Sequence, residues 1–167
     1  MSILSTVSTD TETVSAKSDR VPPLSVPGGR EAPGPDYTAS LCFAAAPESA
    51  GAARRFARAA AAEWLPDGLA DDLDLVVSEL ITNALVHARD ERHDPRSLPI
   101  RLELSCSADS LVCRVADHSA LPPSPEQAGE NSESGRGLLL VDALSSDWGW
   151  SWGPDGGKVV WARFDLS

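Results

Sequence analysis

The chain has 167 residues, 42% of them hydrophobic, and a formal net charge of −11. That length supports one domain with a sizeable core and is short for two. Such acidity argues against the basic face of a nucleic-acid binder and against attraction to anionic membrane surfaces, and favours a basic or amphipathic protein partner.

Residues 1–36 are rich in Ser, Thr, Pro and Gly, as in "VPPLSVPGGREAPGPD". This composition buries too little surface to offset chain entropy, so a disordered N-terminal tail is expected, followed by one domain over 37–167. In "YTASLCFAAA" Leu41 and Phe43 alternate with Ser40 and Cys42, as in a first strand. Pro47 suits the first turn of a helix that runs through "ESAGAARRFARAAAAEWL". Pro66, Asp67 and Gly68 break it, and "LADDLDLVVSELITNALVHARDE" forms a second helix with Asp71, Asp72 and Asp74 near its positive end. "LPIRLELSC" alternates cleanly and "LVCRVAD" returns as its antiparallel neighbour. Residues 118–134, polar and broken by prolines, make a long loop of the kind that often serves as a lid. A short helix in "GRGLLLVDALSSD" and a hairpin turning at "GPDGG" complete the chain.

Strand, helix, helix, strand, strand, loop, helix, strand, strand predicts an α+β fold. The expected architecture is a two-layer α/β sandwich, a mostly antiparallel sheet with helices on one face. Trp148, Trp150 and Trp152 share one face of the first hairpin strand and Trp161 lies on the second; packing under the helices is expected for them. Cys42, Cys106 and Cys113 are scattered and odd in number, so small buried thiols in a reducing cytoplasm are expected. No apolar run approaches the roughly 20 residues of a membrane span, and the N-terminus lacks a secretory signal.

Three clusters carry candidate chemistry. Glu79, Asn83 and His87 recur every fourth residue along the apolar second helix, within about 80° of arc. Spacing leaves two readings, a polar edge on an amphipathic helix or a cleft in which Glu79 takes a proton and Asn83 offers oxygen to a hard cation. Asp117 follows Leu111, Cys113 and Val115 in alternation, which turns it inward at a strand end. A buried carboxylate there needs a donor, and an adenine amino group is a suitable one; a turn-forming Asp is the other reading. Gly135 and Gly137 precede a helix and flank Arg136, either as a tight turn or to let backbone N–H groups approach an anion.

Taken together, the order and spacing of these clusters resemble the GHKL ATPase superfamily. "SELITNALVHA" looks like its N box, "VADHS" like its first glycine box and "SGRGLLLV" like its second, with "GGKVVWARF" matching the last strands. The resemblance implies a Bergerat-type ATP-binding fold over about residues 38–166. Among its branches the chain is most similar to short anti-sigma regulatory factors of the serine-protein-kinase type.

That likeness implies ATP and Mg2+ as cofactors and a sigma factor or an anti-sigma antagonist as partner. It implies Glu79 as general base, Asn83 as magnesium ligand, Asp117 as the adenine acceptor, and Gly135, Gly137 and the Leu138 N–H as a phosphate cradle. Arg136 would touch phosphate, and His87 would line the pocket or support the helix end. A homodimer is implied by resemblance only. The fuller pattern has glycines where Ser119 and Leu121 stand, and Ser119 is carried into the nucleotide site by the D-x-S form of short members. In the family a hydroxyl residue that supports the adenine-binding Asp through water often stands where this chain has Val159, so a less well hydrogen-bonded adenine site is expected. A partner-binding module without catalysis is the alternative function.

Overall fold

The computed structural model describes residues 37–65, 68–87, 99–123, 137–154 and 156–166. The expected tail, the 124–134 part of the loop, Gly135 and Arg136 lie outside the described residues. Eight elements follow in chain order: β1 (Tyr37–Ala44), α1 (Ser49–Trp64), α2 (Leu69–His87), β2 (Pro99–Cys106), β3 (Ser110–Asp117), α3 (Gly137–Leu144), β4 (Asp147–Trp152) and β5 (Lys158–Asp165). They build an α+β fold whose five strands are ordered β1-β2-β3-β5-β4, each pair antiparallel.

Alternation sets the face of every strand. Ile100, Leu102 and Leu104 on β2, Leu111, Cys113 and Val115 on β3, and Val160, Ala162 and Phe164 on β5 all join one core. The helices cover that face, as the burial of Val76, Val77, Leu80, Ile81 and Ala84 on α2 requires. Ala53, Ala57 and Ala61, every fourth residue of α1, are fully buried; their small side chains give α1 a flat inner stripe.

α2 is the middle helix. On one flank Asp74 Oδ2 accepts a hydrogen bond of 2.8 Å from Arg58 Nη2 of α1. Glu79, five residues on and about 140° around the helix, sits on the other flank, against α3. Two side-chain hydrogen bonds tie the second half of α3 to the chain that follows it. Ser145 Oγ donates to the Val141 carbonyl at 2.6 Å, and Trp148 Nε1 donates to Asp142 Oδ1 at 2.9 Å.

Two expectations about side chains change. Trp148 is buried in the core and Trp150 packs against it, but Trp152 at the end of β4 is exposed. Trp161 opposes Gly149 and Arg114 in register, a parity that turns it to the face away from the helices, where it is nevertheless buried. Cys106 and Cys113 are buried free thiols, and complete burial pushes the Cys113 thiol up to about 12, which leaves it protonated and inert. Cys42 is exposed because its β1 position alternates with Leu41 and Phe43. No helix among the described residues is long and apolar enough to cross a membrane.

Candidate functional site

The polar stripe of α2 borders its buried face. Glu79 and Asn83 are half-buried, beside Val76 and Leu80, which are closed to solvent. His87 ends the helix, and its side chain lies outside what the structure describes. Burial raises the Glu79 carboxyl above its ordinary value, and among the described residues no cation pairs with it. Its carboxylate instead rests on Gly137, the first residue of α3. A Cβ at that position would collide with Glu79 Oε2 and stand 3.4 Å from the carboxyl carbon. With glycine there the Glu79 carboxylate lies against the start of α3, at the positive end of a helix. Leu138 follows, its side chain buried in the core, and fixes that helix end against the sheet.

The second carboxylate has a different setting. Asp117 shares the helix-facing side of β3 with Leu111, Cys113 and Val115, as the alternation predicts. Its Oδ1 accepts from the backbone N–H of Ser119 at 2.7 Å and from Lys158 Nζ at 3.0 Å. Both side chains of the Asp117–Lys158 pair are 1% exposed. Ser119 is itself buried, and its Oγ accepts from the Leu121 N–H at 3.1 Å, which folds the chain back after β3. The start of β5 is pressed against this turn. A Cβ on Gly157 would strike the Asp117 carbonyl oxygen and come within 2.8 Å of the His118 Cα.

Register corrects the expectation about Val159. Lys158, not Val159, opposes Asp117, and Val159 pairs with Ala116 on the other face of the sheet. Motif reading does not reveal Lys158 as the partner of Asp117. A signal for it was available: Val160, Ala162 and Phe164 point inward, and extending that alternation by one step turns Lys158 inward as well.

The structure therefore joins Glu79 to Gly137, and Asp117 to Ser119 and Lys158, on the helix-covered side of the sheet. Chemically, the first cluster offers a poorly solvated carboxylate able to take a proton beside a helix N-terminus. The second offers a buried acceptor already engaged by an ammonium group. No group of three or more His, Cys, Asp or Glu side chains able to hold a metal occurs among the described residues. A separate cleft of about 420 Å³, lined by residues including Tyr37, Glu63, Trp64 and Cys106, lies by the start of β1 and the end of β2. It contains none of these groups.

Residues 43–164 match the histidine kinase-like ATPase domain. The fold is similar to the crystal structure of the RsbU and RsbW domains of Rv1364c from Mycobacterium tuberculosis, with a TM-score of 0.60 and 19% identity. That match covers 79% of this chain and 33% of the other, so the present chain spans about a third of that protein's length. At this identity the likeness is one of fold. No curated protein sequence matches.

Proposed function

The chain belongs to the histidine kinase-like ATPase domain family, and from that premise we propose that it binds ATP with magnesium and phosphorylates a serine or threonine of a partner antagonist. This is the chemistry of an anti-sigma regulatory kinase in a partner-switching system. The observation that carries the reading is the seating of Glu79 against Gly137, which brings a proton acceptor to the helix end where phosphate would be held.

The residues present fit the phosphate end of a nucleotide. The space a side chain on Gly137 would take is held by the Glu79 carboxylate, beside the N–H groups that the start of α3 offers. Asn83 would give one oxygen to magnesium, which takes only one or two protein ligands when phosphates supply the others. Bound ATP would supply the phosphoryl group, and magnesium would offset the phosphate charge. Glu79 would accept the proton of the substrate hydroxyl, its carboxylate held in place by α2 and α3. Burial raises its proton affinity toward the range in which a base works near neutral pH. Asp117 would accept from the adenine amino group, and Ser119 would hold Asp117 in position.

The test is phosphotransfer from ATP to a co-encoded antagonist. Glu79→Ala should lower the rate by about 100- to 10,000-fold with ATP binding retained. A wild type that binds ATP and transfers nothing to any such antagonist would sink the kinase assignment. The alternative, a partner-binding module without catalysis, is favoured by one observation, the occupied carboxylate of Asp117. Under that reading partner binding is indifferent to Glu79→Ala.

A further inference from the structure

We infer that Lys158 sets the nucleotide affinity and adenine selectivity of this domain by occupying the acceptor that the adenine amino group would use. The inference rests on the ATP-binding reading above and adds a residue to it.

The argument is one of geometry and exposure. Lys158 Nζ lies 3.0 Å from Asp117 Oδ1, and each side chain is 1% exposed. Oδ1 also takes the Ser119 N–H at 2.7 Å, so this oxygen already holds two donors. The carboxylate is closed to solvent, and a base that reaches Oδ1 meets two donors already on it. The backbone cannot yield easily either, since Gly157 is in contact with the Asp117 carbonyl and the His118 Cα. The group with freedom to move is the Lys158 side chain, four flexible carbons ending in a strongly hydrated ammonium.

Its departure is a trade. The ammonium regains water, Asp117 loses an ionic partner, and the adenine amine must replace it with a neutral donor. Adenine therefore binds the subset of molecules in which the pair is open, and the apparent affinity falls by the fraction that is open. An exocyclic amine gains little when the acceptor it needs is held by a cation. Removing the cation reverses both effects: Asp117 stays buried and lacks its ionic donor, so a ligand that brings a donor is bound more tightly.

The experiment is calorimetric titration of the full chain with Mg-ATP and with Mg-purine riboside triphosphate, which lacks the exocyclic amine. Wild type, Lys158→Thr and Lys158→Gln are compared, the last retaining an N–H donor toward Asp117 so that the fold is kept if threonine proves too severe. Both variants should bind ATP more tightly than wild type, Lys158→Thr by about tenfold and Lys158→Gln, which keeps a neutral donor, by less, and the gain should be much smaller for the analogue lacking the amine. Equal or weaker ATP binding by the variants, or an equal gain for both nucleotides, overturns the inference while the ATP-binding reading stands. Loss of folding in both variants overturns it too, because Lys158 is then a structural residue. Folded wild type and variants that all fail to bind at millimolar ATP would instead remove the ATP-binding reading, and the inference with it.

Discussion

Two candidate carboxylates, one on α2 and one at the end of β3, differ in their surroundings. Glu79 is half-buried, its proton affinity raised by burial, and among the described residues it has no cationic partner. Asp117 is fully enclosed, with a backbone donor and an ammonium on the same oxygen. Buried charge is stable only where something donates to it. Asp117 meets that condition within the protein and reads as part of the fold. Glu79 meets it incompletely among the described residues. The carboxylate between α2 and α3 is poorly solvated, and the β3–β5 side is closed.

The contrast can be broken most forcefully at Asp117. Asp117→Ala strands the Lys158 ammonium in the core and should destabilise the domain by about 3–5 kcal/mol, read from urea unfolding. A loss near zero would mean that the pair is exchanged for water at no cost, and the closed side is not closed. Gly137→Ala comes next. The new methyl meets the end of the Glu79 side chain, which can swing aside, so stability should change by less than about 1 kcal/mol while phosphotransfer drops. Full retention of phosphotransfer would mean that the seating of Glu79 on Gly137 does not matter to it.

The smallest effect is the most diagnostic of Glu79. Its folded pKa is raised, so the folded state binds more protons than the unfolded state between the two pKa values, and stability falls as pH rises through that window. The penalty is fully present above the folded pKa and absent below the unfolded one. Glu79→Gln should therefore raise the melting temperature at pH 7 to 8 relative to wild type, and the difference should vanish near pH 4. A melting temperature lowered at pH 7 would show that the carboxylate is stabilised by its site.

Much of this was legible in the chain. Period-2 alternation in "LPIRLELSC" and "LVCRVAD" located these two strands to within a residue or two, and the apolar stripe under "VVSELITNALV" located the central helix, whose expected end at 88–91 lies outside the described residues. Glu79, Asn83 and Asp117 were recognisable as inward or border positions because polar residues on apolar elements stand out. Ser119 was legible as a position and not as a role. Its hydrogen bonds to Asp117 and Leu121 belong to a turn whose geometry sequence spacing does not fix. What Gly137 and Gly157 approach so closely was not legible, since each contact comes from another element.

What the amino-acid order decided alone is therefore whatever depends on neighbours along the chain: which residues alternate, which recur every fourth position, where prolines and glycines interrupt. What folding had to decide is which strands become neighbours and in what register. Lys158 lies 41 positions from Asp117, and only the β3–β5 pairing, which passes over α3 and β4, brings ammonium and carboxylate together. A shift of one residue in that pairing would set Val159 opposite Asp117 and turn the lysine to the other face. Long-range register, which local propensity does not encode, determines whether the acceptor of this site is open or filled.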